Sequence, residues 1–323
     1  MGQGEKEKMS RSRVLLLLIV AVTAVFAYKC IIMPLGRNLY GKYGDENTMA
    51  ASPPRTDESS VHIPSDTLNS THAILVRLSD HAVLMQKNSD DKIYPASLTE
   101  IMTAIIAIEK LPDLQEKITL SDAMFSNSGG RDASTAGFQP DEQVRAVDLL
   151  YGAMLPNGAE CCIGLAGQVA GSEHDFVKMM NEKAAELGMD GTHFENSSGM
   201  HDAYHYTTVK DLSALLSYAL RNNTFREIFT AQRYSTQSTN KHPEGVTFHS
   251  TVPEGLDDSA AAGGKIIGGK TGYTEKAGQC LAGLAEVGGQ EYILITTGAK
   301  GYRGSQQNCI ADALNIFGSL AAE

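Results

Sequence analysis

The alternation of hydrophobic and polar positions changes period repeatedly along this chain, and each change marks a structural boundary. An apolar run from Val14 to Ala27 extends through Tyr28 and Lys29 to Leu35 and follows Lys6, Lys8, Arg11 and Arg13. With its extension the run is about 22 residues, enough to cross a bilayer if Lys29 snorkels. The preceding positive charge predicts a cytoplasmic N-terminus, with the remainder of the chain exported. Val25-Phe26-Ala27 also offers a signal-peptidase site. Residues 1–35 are therefore expected to form a cytoplasmic tip and signal-anchor. Residues 36–69 lack a hydrophobic period, are rich in Gly, Pro, Ser, Asp and Asn, and read as a flexible linker. Residues 70–323 are expected to form the folded domain.

Within that domain, Ala73–Arg77 and His81–Met85 are short apolar segments around Ser79-Asp80, the pattern of a hairpin. Ser97 to Lys110 has helical spacing, with Ile101, Met102, Ile105, Ile106 and Ile108 making it almost wholly apolar. A second helix runs from Val147, breaks at Leu155-Pro156-Asn157-Gly158 and restarts at Ala159. Phe176 to Leu187 is amphipathic, with Lys178, Asn181, Glu182 and Lys183 expected outward, and Val209 to Arg221 is a further helix. The period then falls to that of strands over 263–272, 279–286 and 291–297, the last two joined by Gly288-Gly289. Gln306 to Leu320 closes the chain as a helix. Strands at both ends with helices between predict an α/β (α+β) fold: an antiparallel sheet built from both termini, flanked by helices, plus a helical subdomain. That topology brings Ser97, the Asn157 loop and Lys270 together.

Composition narrows the chemistry. The net charge is -11 over 323 residues, with no basic face, which argues against nucleic acid as partner. The five cysteines are odd in number and show no CxxC spacing, so they read as small buried residues rather than a zinc site or disulfide framework. No metal or cofactor is expected. His201 and His205 lie in a loop-like stretch and read as structural. Ser238-Thr239-Asn240-Lys241 imitates two short motifs at once, but no apolar helix follows it.

Ser97 stands between the turn at Pro95 and the first turn of an apolar helix, where free N–H groups favour developing negative charge. No GxSxG elbow is present. A serine without that elbow can use a lysine one helical turn later as base, with a Lys-Thr-Gly strand to meet a substrate carboxylate. Lys270-Thr271-Gly272, preceded by Gly-Gly and followed by Tyr273, fits the strand element.

These stretches, with Tyr94-Pro-Ala-Ser-Leu-Thr99, Asp148-Leu-Leu-Tyr-Gly152 and Ser198-Gly-Met-His-Asp202, resemble the serine-type D-alanyl-D-alanine carboxypeptidases (peptidase S11), the low-molecular-mass penicillin-binding proteins. The resemblance covers about Ser70 to Leu320. It implies a β-lactamase/penicillin-binding-protein-like fold, Ser97 as acylated nucleophile, and Lys270, Thr271 and Gly272 as substrate-binding groups. It further implies peptidoglycan stem peptides ending in D-Ala-D-Ala as substrate, β-lactams as ligands, and an extracytoplasmic domain held to the membrane by the N-terminal helix, or secreted if cleaved after Ala27.

Two motif positions depart from the family. The Ser-x-x-Lys lysine is Glu100, and the Ser-x-Asn motif reads Asn157-Gly158-Ala159. Glu100 places a negative charge where the family has an amine, and Lys270 is expected to pair with it and lower its pKa. Asn157 has no group that relays a proton. The expectation is a carboxypeptidase-like protein with impaired acylation. The alternatives are a catalytically inactive, peptidoglycan- or partner-binding pseudoenzyme and, less favoured, a β-lactamase-like hydrolase.

Overall fold

The computed structural model describes the backbone of Arg55–Thr56 and residues 65–126, 133–252, 264–302 and 305–321. The expected signal-anchor and most of the expected linker lie outside the described residues. Among the described residues no helix is long and apolar enough to cross a membrane.

The sheet has strands β1 (Arg55–Thr56), β2 (His72–Arg77), β3 (Ala82–Lys87), β8 (Gly264–Thr274), β9 (Gly278–Val287) and β10 (Gln290–Ala299), in the order β1-β3-β2-β10-β9-β8. Five of them are antiparallel neighbours, and the two-residue β1 lies parallel to β3. The Ser79-Asp80 turn forms as expected: the Asp80 carboxylate accepts from the Ala82 N–H and the Arg77 guanidinium. Two small ribbons complete the strands, β4 (Lys117–Leu120) with β5 (Glu142–Arg145) and β6 (Arg233–Ser235) with β7 (Thr247–His249). The second ribbon was not legible in the polar sequence around it.

The helices are α1 (Glu100–Lys110), α2 (Asp122–Ser126), α3 (Ala146–Met154), α4 (Ala159–Ala170), α5 (Glu173–Glu186), α6 (Val209–Ala219), α7 (Asn223–Thr230) and α8 (Asn308–Ala321). Strand alternation sorts the sheet between two cores. Ile74, Val76, Ala282, Leu284, Ile293 and Ile295 face the helical side, whereas Ala73, Leu75, Leu281, Ala285 and Leu294 pack with Ile310, Ala313, Ile316 and Phe317 of α8. Helix α1 is the axis of the larger core, and every residue from Glu100 to Ala107 is buried. It packs against α3, α4, α5, α6 and α7, so an all-apolar helix pays little for lacking a wet face.

One expected surface face is otherwise. Asn181 is half-buried, donating to the Val177 and Phe194 carbonyls and accepting from the Phe194 N–H, while Lys183 is half-buried against Glu109 and Glu186. The four described cysteines are buried and free.

Candidate active site

Ser97 sits in a 3-10 turn, Ala96–Thr99, that runs directly into α1. The turn is held in an unusual backbone state. Ala96 has φ +48°, a region that costs a non-glycine residue of order 1–3 kcal/mol unless its surroundings enforce it. Two glycines enforce it. A Cβ on Gly199 would lie 1.9 Å from the Ala96 carbonyl oxygen, and one on Gly272 would lie 2.9 Å from the Ser97 nitrogen. Strand β8 and the 196–200 loop therefore press on the serine turn from two sides, which only glycine permits.

The loop is rigid for its own reasons. Asn196 Oδ1 accepts from the N–H groups of Ser198, Gly199 and Met200, and its amide donates to the Met200 carbonyl. Behind the turn, Glu195 N–H donates to His205 Nδ1 at 3.1 Å, which leaves His205 Nε2 to donate to Thr99 Oγ1 at 2.8 Å. Burial pushes the His205 pKa down to about 4, so this histidine is a neutral brace and its structural reading stands.

The break between α3 and α4 brings Asn157 to the same point, with φ +64°. Its amide donates to the Thr271 carbonyl at 3.0 Å, and its Oδ1 accepts from Lys270 Nζ at 2.6 Å. Lys270 Nζ also donates to the carbonyls of Ala153 and Met154, both at 3.3 Å, and lies 2.5 Å from Glu100 Oε2. The contact with Glu100 is ionic rather than an aligned hydrogen bond, because Oε2 accepts none of normal geometry. Ser97, Glu100, Asn157 and Lys270, far apart in sequence, thus form one cluster.

The pairing of Lys270 with Glu100 occurs as expected, but its electrostatic outcome is reversed. Loss of water around Glu100 raises its pKa more than Lys270, and then Ser97, lower it, so the carboxyl is pushed up to about 7. Glu160 adds to the rise. This second carboxylate is fully buried in the first turn of α4, where Oε1 accepts from the Ala136 and Gly137 N–H groups. Burial raises its pKa too, against those backbone donors. Glu160 and the brace of His205 on Thr99 were missed in the sequence. The available signal for Glu160 was a carboxylate at a helix start just after the Pro-Asn-Gly break.

A cleft of about 860 Å³ opens over the cluster, and its walls include Ser97, Glu100, Asn157, Thr271, Gly272 and Tyr273. Lys270 is fully buried. The Ser238–Lys241 motif decoy lies elsewhere: Thr239 and Asn240 are bonded to Glu142, Asp141 and Gln143 around β5.

A helix-mounted serine facing a Lys-Thr-Gly edge strand across a helix-break loop is the architecture of the penicillin-binding DD-peptidases. The model of the D-alanyl-D-alanine carboxypeptidase family, peptidase S11, matches residues 57–301, and the chain belongs to that family. It is 31% identical over 234 residues to the D-alanyl-D-alanine carboxypeptidase DacF of Bacillus subtilis, a match covering 70% of this chain and 57% of that protein. It is 30% identical over 251 residues to DacC of Escherichia coli, covering 75% and 59%. The chain thus spans less than two thirds of the length of both relatives. The crystal structure of the Streptomyces K15 DD-transpeptidase superposes with a TM-score of 0.71 at 27% identity, covering 80% of this chain and 98% of that one. A D-alanyl-D-alanine carboxypeptidase from Mycobacterium tuberculosis gives 0.69 at 25% identity, covering 84% and 96%.

Proposed function

We propose that this protein recognises peptidoglycan stem peptides ending in D-Ala-D-Ala and that acylation at Ser97 is strongly impaired. The observation that carries the reading is the Glu100–Lys270 pair: a carboxylate lines the cleft beside Ser97, and the nearby ammonium is buried and engaged. In the expected reaction Ser97 Oγ attacks the carbonyl between the two D-alanines, a base takes the hydroxyl proton, and that proton goes to the departing amine. Glu100, bonded to Ser97, is the base on offer, yet its ionised form is held by Lys270, and the proton it takes has no relay to the departing amine. Asn157 occupies the relay position and has no proton to pass on. An anion beside the nucleophile also opposes a substrate that ends in a carboxylate. Such a substrate, and the apolar run of residues 14–35, support an extracytoplasmic domain at the membrane. β-Lactams are the alternative acylating ligands for the same serine.

The test is the rate of labelling by a fluorescent penicillin, together with D-alanine release from a stem pentapeptide. The expected result is slow labelling that Ser97→Ala abolishes and that Glu100→Lys with Asn157→Ser accelerates by roughly 10²-fold or more, the scale of one general base. Labelling of the unaltered protein as fast as that of the double variant would overturn the proposal. D-alanine release that switches on above about pH 7 would do the same, by assigning Glu100 the role of working base.

A further inference from the structure

The cluster beneath Ser97 is unbalanced in charge. Two carboxylates, Glu100 (1% exposed) and Glu160 (0%), share its interior with one ammonium, Lys270 (0%). Among the described residues no second cation is buried with it, and Lys276 and Glu275 stand on the cleft wall. Cys161 and Cys162 on α4 are thiols that burial holds neutral, with pKa values well above the ordinary one. Glu173 on α5 accepts from the Ser197 N–H and hydroxyl. His205, bonded to Thr99, is uncharged at any pH well above 4. From β8 comes Lys270, and α3 contributes to the cluster the Ala153 and Met154 carbonyls that Lys270 binds.

With both carboxylates ionised, the cluster holds a net negative charge out of water, which is costly. One proton neutralises it. Glu160 has two backbone donors on Oε1 that favour its anion, while its Oε2 accepts no hydrogen bond. Glu100 pairs with Lys270 and bonds with Ser97, and its Oε2 likewise accepts no aligned hydrogen bond. Glu100, unlike Glu160, lines the cleft, so it is the member placed to exchange a proton with solvent and to respond to a bound anion.

We propose that Glu100 makes recognition of a ligand carboxylate proton-linked: for each carboxylate bound beside Ser97, the cleft takes up one solvent proton on Glu100. The inference rests on the stem-peptide reading above. The ligand arrives as an anion, Glu100 passes from carboxylate to carboxylic acid, and Lys270, no longer neutralised, compensates the incoming charge without moving. No covalent bond changes. Thr271 and Gly272, in the cleft wall, border the space the carboxylate enters.

The experiment is calorimetric titration of the full-length chain with acetyl-Lys-D-Ala-D-Ala and with its C-terminal carboxamide, from pH 6 to 8.5, in buffers of differing ionisation enthalpy. Neither peptide titrates in that range. The acid is expected to bind at least tenfold more weakly at pH 8.5 than at pH 6 and to take up close to one proton at pH 8, as linkage requires. The carboxamide is expected to show neither effect, and Glu100→Gln is expected to bind the acid with its low-pH affinity throughout. Equal affinity for the acid at both ends of the range overturns the inference. So does a slope that persists in Glu100→Gln, or one shared by the carboxamide. All three outcomes leave the stem-peptide reading intact. Absence of binding by either protein at every pH overturns both.

Discussion

Two carboxylates lie buried on opposite faces of the sheet, and they are provided for very differently. Asp312, on α8 and 0% exposed, accepts from Asn69 N–H and amide on one oxygen and from Ser70 N–H and hydroxyl on the other, at 2.6–2.9 Å. Glu100, 1% exposed on α1, has the Lys270 ammonium at 2.5 Å and no aligned donor on that oxygen. Four donors replace much of the water that Asp312 loses, whereas one ion pair and the bond with Ser97 do not replace it for Glu100. Asp312 is thus a structural clasp that ties the entry of the folded domain to its last helix. Glu100 is a responsive group whose protonation follows what else is in the cleft.

The comparison can be broken most forcefully at the clasp. Asp312→Ala strands the two donors of buried Ser70, those of exposed Asn69 turning to water, and is expected to cost roughly 3–5 kcal/mol in urea unfolding, given about 1–3 kcal/mol for each buried donor left unpaired. A loss under 1 kcal/mol would mean that the clasp is not tight in solution.

Glu100 should show the opposite character, in the pH dependence of stability. Its pKa is raised from 4.5 in the unfolded chain to about 7 in the folded one. Between those values the folded state binds more protons, so its contribution to stability is complete below about 4.5, declines as pH rises, and is gone above about 7. His205, lowered to about 4, acts in the opposite sense over part of that window. The clean measurement is therefore the difference in urea midpoint between the unaltered protein and Glu100→Gln at pH 5 and pH 8. The unaltered protein should lose stability relative to the variant at the higher pH, and a constant difference would refute the raised pKa.

The smallest effect concerns the brace that shapes the serine turn. Thr99→Val removes the acceptor of His205 Nε2–H and is expected to cost about 1–2 kcal/mol. It should also raise the histidine's NMR titration midpoint above about 4 as the ring loosens and admits water. An unchanged midpoint would show that the threonine does not hold the ring.

Much of this was legible in the chain itself. The short apolar segments around Ser79-Asp80 announced the hairpin, while only the folded sheet showed that alternate residues of Ala73 to Val76 meet different cores. The apolar run from Ile101 announced a helix with no wet side, and Pro156-Asn157-Gly158 announced the break that carries Asn157. The β6–β7 ribbon escaped notice because three-residue strands are too short to display a period. Asn181 escaped because a polar residue at an outward-looking helical position can still reach a neighbouring loop's backbone.

The sequence alone determined the longer elements, the family and the motif groups at the site, including the glutamate one turn after the serine. These depend on neighbours a few residues apart, and local spacing records them. Only the tertiary structure decided what that glutamate is. Its pKa is the small difference between the cost of taking a carboxylate out of water and the attraction of an ammonium carried by β8. Both terms depend on how closely the rest of the molecule packs around the pair, and no local pattern encodes that sum. The sequence placed Lys270 beside Glu100 and implied a lowered pKa, whereas burial, set by α1, α4 and β8 together, turned the balance the other way.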